Sequence, residues 1–320
     1  MKILNRPEIM ALYRADEALE FIRAGFIAFT QGKVIQPPVQ HFDFAARNGD
    51  SCIKSACVEG DELFVVKASS NFYGNPTQGM ESAQGLNMAF SALTGAPIAL
   101  LLDNGWLTAM RTALAGQLAA EQLAPSRVQR IGVVGTGLQA RLQLRVLRDL
   151  VDCSDVYVWG KTEGGLRAFR DEVEPLGFRV TACPALETLA RSSQLIVTCT
   201  PSREPLLKAA WIAEGTHITA VGADSVGKQE LESALLAKAD LVVVDSVAQC
   251  TDFGEVQHAW REGLVRSDDL VELGQILSGR TAGRTSDRQI TIADLTGLGV
   301  QDLQITKAIL SADAARHEAR

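Results

Sequence analysis

The stretch Arg130-Ile-Gly-Val-Val-Gly-Thr-Gly-Leu-Gln-Ala-Arg141 decides the fold. Ile131 to Val134 is a short apolar run that reads as a buried strand. It leads directly into Gly135-Thr136-Gly137, with Ala140 at the third small position. Leu138 to Leu150 then reads as a helix, with Leu142, Val146, Leu147 and Leu150 on one face. Strand, glycine turn and helix in this order are the context a dinucleotide fingerprint requires. Gly135 permits the tight turn, Gly137 lets the backbone approach a pyrophosphate, and Ala140 lets the helix pack against the strand. The free N–H groups at the helix start then face the phosphates. A glycine turn with no ligand is the plainer alternative.

Downstream of this stretch, strands are expected at Val156 to Trp159, Arg179 to Ala182, Leu195 to Cys199, His217 to Val221, Leu241 to Asp245 and Ile290 to Asp294. Helical segments separate most of them, which is the signature of βαβ units and a parallel sheet. Upstream the pattern differs. Asp16 to Gln31 reads as an amphipathic helix, stopped by Gly32. Cys52 to Val58 and Leu63 to Ser69 read as a hairpin turning at Glu59-Gly60-Asp61, and Leu86 to Leu93 with Ile98 to Leu102 as a second. Trp106 to Leu123 reads as a long alanine-rich helix, and Gln301 to Ala315 as a terminal one that packs back on the first domain. The expected fold is α/β: a Rossmann-type doubly wound parallel sheet over 124–299, plus an α+β substrate-binding and dimerisation domain over 1–123 and 300–320.

Composition excludes several classes. The 320 residues suit two domains, and 47% hydrophobic with 22% charged residues is an ordinary globular balance. A net charge of -7 argues against nucleic acid or an anionic membrane surface as partner. Cys52, Cys57, Cys153, Cys183, Cys199 and Cys250 form no CxxC pair and no zinc spacing, so reduced cysteines of a cytoplasmic protein are expected. Four histidines without metal spacing, and no nucleophile elbow, leave metalloenzyme and hydrolase readings weak. No signal peptide or membrane span is expected.

Ligands of open α/β sheets bind beyond the carboxyl ends of the strands. At Trp159-Gly160-Lys161-Thr162 the carboxylate that usually takes an NAD ribose is replaced by Lys161 and Thr162, which favours the 2′-phosphate of NADP(H) over NAD(H). The alternative is a solvated loop lysine. Asp224, after Gly222-Ala223, is a candidate proton relay or a helix N-cap. Thr200-Pro201-Ser202 and Asp245-Ser246 end neighbouring strands and line the expected cofactor groove. Lys67, inside Phe64-Val65-Val66-Lys67-Ala68, is unusual for an apolar strand.

Several separate stretches resemble the ornithine cyclodeaminase and mu-crystallin family. They are Leu107-Thr108-Ala109-Met110-Arg111-Thr112-Ala113, Gly135 to Ala140, Trp159 to Thr162, Val197-Thr198-Cys199-Thr200-Pro201-Ser202, Ala220 to Asp224, Gly227-Lys228-Gln229-Glu230-Leu231 and Gly254-Glu255. The resemblance implies a homodimer, Lys67 and Arg111 on the substrate carboxylate, Asp224 relaying protons beside the nicotinamide, and Ser82 touching substrate. It places Thr112, Gly135, Thr136, Gly137, Leu138, Gln139, Lys161, Thr162, Cys199, Thr200, Val221, Gly222, Ala223 and Gly297 on the cofactor. Relatives carry an arginine shortly after the proline step; here Gln40 and His41 stand in its place, and neither makes a bidentate carboxylate pair. Arg47 is the nearby candidate to compensate. No metal is expected.

The implied activity is an NAD(P)-dependent oxidoreductase on the C–N bond of a small amino or imino acid. A cyclodeaminase that recycles its cofactor and releases ammonia uses the same residues. A non-catalytic NADPH- and ligand-binding crystallin-like protein is the alternative of another class; the presence of Lys67, Arg111 and Asp224 together argues for an enzyme.

Overall fold

A computed structural model describes residues 1–318, so the last two positions of the expected 300–320 segment lie outside the described residues. The chain divides into two units, Met1–Arg111 with Leu298–Arg320, and Thr112–Gly297.

In the first unit, alternating side chains build a sheet that is antiparallel except at its edge, where β1 pairs parallel with β7. Its elements are β1 (Lys2–Asn5), α1 (Arg6–Leu12), α2 (Ala15–Thr30), β2 (Val34–Ile35), β3 (Gln40–Phe44), β4 (Gly49–Val58), β5 (Leu63–Phe72), β6 (Ala83–Ser91) and β7 (Pro97–Leu102). Strand order is β1-β7-β6-β5-β4-β2, with β3 also paired to β4. Both expected hairpins are present; the first turns through Gly60 at φ 85°. β1 and α1 were not foreseen. β1 buries only Leu4, too little apolar pattern to read, while Asn5 and Glu8 cap α1 reciprocally. The C-terminal helix Gly299–Glu318 packs on α2, β4 and β5, as expected of the terminal helix. Helix α3 (Trp106–Leu123) begins here, and the division into units falls inside it, after Arg111.

The second unit is the parallel sheet. Its strands are β8 (Ile131–Val134), β9 (Asp155–Trp159), β10 (Arg179–Ala182), β11 (Leu195–Thr198), β12 (Arg203–Leu207), β13 (His217–Ala220), β14 (Gln229–Leu231), β15 (Leu241–Val244), β16 (Leu270–Glu272) and β17 (Thr291–Asp294). The main sheet runs β10-β9-β8-β11-β13-β17-β15-β16, all parallel; β12 and β14 form a separate two-stranded ladder. β8, β11, β13 and β17 are buried at every residue, because helices cover both faces. One core packs around Ile196, Ile218, Val242 and Ile292, the other around Ile131, Val133, Val156 and Phe169. The order reverses at β8, where β9 leaves to one side and β11 to the other, so the ligand-binding crevice expected of such a sheet opens there. Helix α4 (Leu138–Leu147) ends one turn before Leu150, since Leu150 donates to the Leu147 carbonyl in a tightened last turn. Helix α5 (Glu163–Val173) follows β9.

Candidate active site

The glycine turn has the form the sequence predicted. Gly135 adopts φ 119°, a region costly for any side chain, and a Cβ there would meet Cys199 and Thr200 at 3.1–3.2 Å. Gly137 is exposed, and a Cβ would meet nothing within 4 Å. No side chain caps α4 at Gly137, so its first amides face open space. Ala140 is fully buried against the strand. An anionic dinucleotide phosphate fits this cradle.

The loops around it are held from beneath. Thr136 packs on Gly160 and Gly165. Thr162 caps α5 by accepting from the Gly165 N–H at 3.1 Å, a structural role beside the expected phosphate contact. Lys161 is exposed at the end of β9. Glu163, which opens α5, is a carboxylate two residues beyond Lys161 in a loop where the sequence pattern leads one to expect a cation alone. The Cys199 thiol donates to the Val134 carbonyl, and burial, reinforced by Glu230, raises its pKa well above the usual thiol range. Val221 and Ala223 are buried on either side of Gly222. Asp245 accepts from the Gly297 N–H at 2.6 Å and the Thr296 hydroxyl at 2.9 Å, fixing the loop that carries Gly297. Leu138 is exposed, Gln139 half-buried, and the Thr112 carbonyl accepts from Gln143. Asp224 caps no helix. It lies in the loop before β14, and its carboxylate accepts from the Lys228 ammonium at 2.6 Å. His217 is buried between the Thr291 and Thr219 hydroxyls; burial, with help from Arg284, lowers its pKa to about 3, so it is a neutral strand residue.

The first unit holds a buried charge cluster. In the strand register Lys54 of β4 lies opposite Lys67 of β5, and Lys67 opposite Asn87 of β6, so all three share one face. Their exposures are 5%, 1% and 1%. Asp302, on the first turn of the C-terminal helix, reaches the same place: its carboxylate lies 3.2 Å from the Lys67 ammonium and accepts from Arg111 Nε at 3.2 Å. Arg111 also donates to the Gln301 side chain at 2.9 Å. Burial alone would raise the Asp302 carboxyl, but Lys67, Arg111 and Lys54 hold it below its ordinary value. Burial, then repulsion from Lys67, pushes the Lys54 ammonium down to about 8. Asp103 feels Asp302, but it is engaged at the start of α3, accepting from the Leu107 N–H at 2.7 Å; burial raises it to about 6. Three cations against these two carboxylates leave a positive excess, which a buried site tolerates when an anionic ligand supplies the balance.

Lys54, Asp302 and Gln301 were not singled out from sequence. A lysine in a strand like Lys54 was a legible signal; the partnership with Asp302 was not. Of the residues that were, Lys67 and Arg111 meet, and His41, opposite Cys52, points to the same face as Lys54. Gln40 lies opposite Ile53, and the pleat sends it to the other face from His41, so the two residues that stand in the arginine's place point apart. Ser82 lies beside Phe72, five residues along β5 from Lys67, roughly 17 Å at the usual strand rise. Arg47 lines a small cavity at that same Phe72 end and does not stand in the cluster.

A phosphate cradle at the switch point of a doubly wound sheet defines a dinucleotide-binding class of fold, and the other unit carries a buried cluster of Lys54, Lys67, Arg111 and Asp302. The sequence profile of the ornithine cyclodeaminase/mu-crystallin family matches residues 1–316, and the chain belongs to that family. It is 32% identical to the iminosuccinate reductase of Paracoccus denitrificans over 99% of this chain and 98% of that enzyme. The structure of that reductase in complex with NAD+ superposes with a TM-score of 0.89, covering 100% of this chain and 97% of the other. The Thermococcus litoralis Delta(1)-pyrroline-2-carboxylate reductase, solved with NADH and L-proline, is 27% identical with a TM-score of 0.92, covering 99% and 98%. An archaeal alanine dehydrogenase, solved as a dimer with bound NAD, is 34% identical with a TM-score of 0.90, covering 99% and 97%. Among the described residues no helix is long and apolar enough to cross a membrane.

Proposed function

We propose that the protein is an NAD(P)-dependent oxidoreductase that interconverts a small α-imino acid and the corresponding α-amino acid. The observation that carries this reading is the buried cluster of Lys54, Lys67 and Arg111 around Asp302, whose positive excess matches one substrate carboxylate. When bound, the nicotinamide supplies or accepts hydride at the C–N carbon. Gly135, Thr136, Gly137, Leu138 and Gln139 receive its pyrophosphate. Thr112, Cys199, Thr200, Val221, Gly222, Ala223 and Gly297 line the rest of the cofactor site. Lys67 and Arg111 hold the carboxylate and draw electron density from the imine carbon, which favours hydride arrival. Asp224, with Lys228 beside it, delivers the proton that the amine nitrogen gains. Lys161 and Thr162 favour NADP(H), with NAD(H) as the second choice. Ser82, in the bend just before β6, lies too far from the carboxylate to touch a small substrate held there.

The same charge distribution favours this reading over a cyclodeaminase. A diamino acid would bring a second ammonium to a cluster that already holds three cations, and both of its carboxylates are engaged. A homodimer is expected, as in the archaeal alanine dehydrogenase. Ile3, Ile35, Phe42, Phe44 and Ile98 are among the exposed apolar side chains of the first unit available to it.

The test is NAD(P)H oxidation with pyrroline-2-carboxylate and with 2-oxo acids plus ammonia, alongside ammonia release from ornithine and lysine. Cofactor oxidation with an imino acid is the expected result. Ammonia release without net cofactor change would establish the cyclodeaminase, and cofactor binding without turnover of any of these would establish the binding protein.

A further inference from the structure

Two stretches that carry the family resemblance, Gly227–Leu231 and Gly254–Glu255, contain glutamates to which the reading above gives no role. Each nevertheless contributes a fully buried glutamate, Glu230 and Glu255, to one polar knot in the second unit. Glu230 lies on β14. One of its carboxylate oxygens accepts from the Thr200 N–H at 2.6 Å, the other from the Gly222 N–H at 3.1 Å. Thr200 and Gly222 follow β11 and β13, which are adjacent parallel strands. Glu255 in turn accepts from the backbone N–H groups of Glu230 and Leu231 at 2.8–3.1 Å. Glu255 therefore fixes the backbone of β14, and Glu230 carries that position across to two loops at the carboxyl edge of the sheet.

The fit leaves no slack. A Cβ on Gly222 would lie 2.3 Å from the Glu230 carboxylate and 2.3 Å from the Thr200 carbonyl. The chemistry is also specific. Two N–H donors converge on Glu230, and a carboxylate accepts from both. An amide of the same shape accepts from one and turns a donor toward the other. Two buried acids in contact are a poor source of stability, since burial and mutual repulsion both oppose their charge. Burial raises Glu230 to about 7 and, with Glu230 and Asp294 adding to it, lifts Glu255 well above the carboxylate range. A knot kept only for folding would be served better by apolar packing.

We propose that Glu230 is a positioning residue for the dinucleotide: it clamps the loops after β11 and β13 to one another so that Cys199–Thr200 and Gly222–Ala223 present a preformed cofactor wall. This rests on the cofactor assignment made above. Glu255 is the support of the clamp, through its hydrogen bonds to the backbone of β14.

The test uses the full chain and compares wild type with Glu230→Gln, Gly222→Ala and Glu255→Gln. Dinucleotide Kd is read by fluorescence titration with NADH and NADPH, stability by thermal melting, and KM separately for dinucleotide and imino acid. Glu230→Gln replaces a charge-assisted acceptor with a donor facing the Gly222 N–H. It is expected to weaken dinucleotide binding by about tenfold or more, with the melting temperature little changed. The KM for dinucleotide rises while that for the imino acid stays near wild type. Gly222→Ala keeps both acids and forces the loop off the clamp, and the same loss is expected. Glu255→Gln keeps an acceptor for β14 and is expected to bind within about threefold of wild type. Wild-type affinity in Glu230→Gln overturns the proposal while leaving the cofactor assignment intact. Loss of folding in both Glu230→Gln and Gly222→Ala assigns the knot to the fold and also overturns it. A wild type that binds neither dinucleotide overturns the cofactor assignment and the clamp with it.

Discussion

Replacing Lys54 by methionine should make the protein more stable and less able to bind its substrate. Lys54 is 5% exposed, and burial with repulsion from Lys67 lowers its pKa from 10.5 to about 8. Methionine fills the same volume with a flexible apolar chain. The sign follows from proton linkage. Below about pH 8 the lysine is charged in both folded and unfolded chains, and the full cost of burying that charge is present. Between pH 8 and 10.5 the unfolded chain binds more protons than the folded one, so wild-type stability rises with pH. Above 10.5 both are neutral and the cost is gone. At about 1.4 kcal/mol for each tenfold change in proton affinity, the fall from 10.5 to about 8 makes that cost roughly 3 kcal/mol. The Lys54→Met variant should therefore exceed wild type by up to about 3 kcal/mol at pH 7, with the gap closing toward pH 10. Urea unfolding at a series of pH values, in the absence of ligand, measures it. The wild-type KM for the imino acid should rise as pH passes through about 8, because the cluster loses a charge, and the variant should show a high KM without that dependence. A variant that unfolds more easily than wild type at pH 7 would refute the reasoning, since Lys54 would then be a net stabilising partner of Asp302.

Three further outcomes follow from the site. Arg111→Ala and Lys67→Ala should each weaken turnover while NADPH binding stays near wild type; unfolding of both variants would make their pairing with Asp302 purely structural. Asp224→Asn should lower kcat by about 10²–10⁴-fold with cofactor affinity unchanged, as for a positioned acid–base group, and a near-normal kcat would remove Asp224 from the reaction. NADPH should bind more tightly than NADH, and Lys161→Ala should narrow the difference by about tenfold, whereas tighter NADH binding by the wild type would assign the β9 loop to the ribose through a residue such as Glu163.

The sequence by itself determined the glycine turn after β8, the alternation of strands and helices behind it, the hairpins of the first unit and the presence of a C-terminal helix. These are consequences of local rules: side-chain periodicity, positive-φ glycines and caps all act within about ten residues. Lys67 was legible for the same reason, as a charge breaking an apolar strand. What tertiary structure alone decided is which groups meet. Asp302 joins Arg111 across 191 positions of chain, and nothing in the residues around either one encodes that distance. Register decided that Lys54 stands opposite Lys67, and that Gln40, one residue from His41, faces away, because a single step along a strand reverses the side chain. The role of Glu230 was likewise invisible: its motif was readable, but its carboxylate acts on Thr200 and Gly222, which three-dimensional stacking of parallel strands brings to it. Periodicity reports which face a residue occupies, whereas a site is made of pairings between faces, and those are settled only when the sheet and its covering helices close around them.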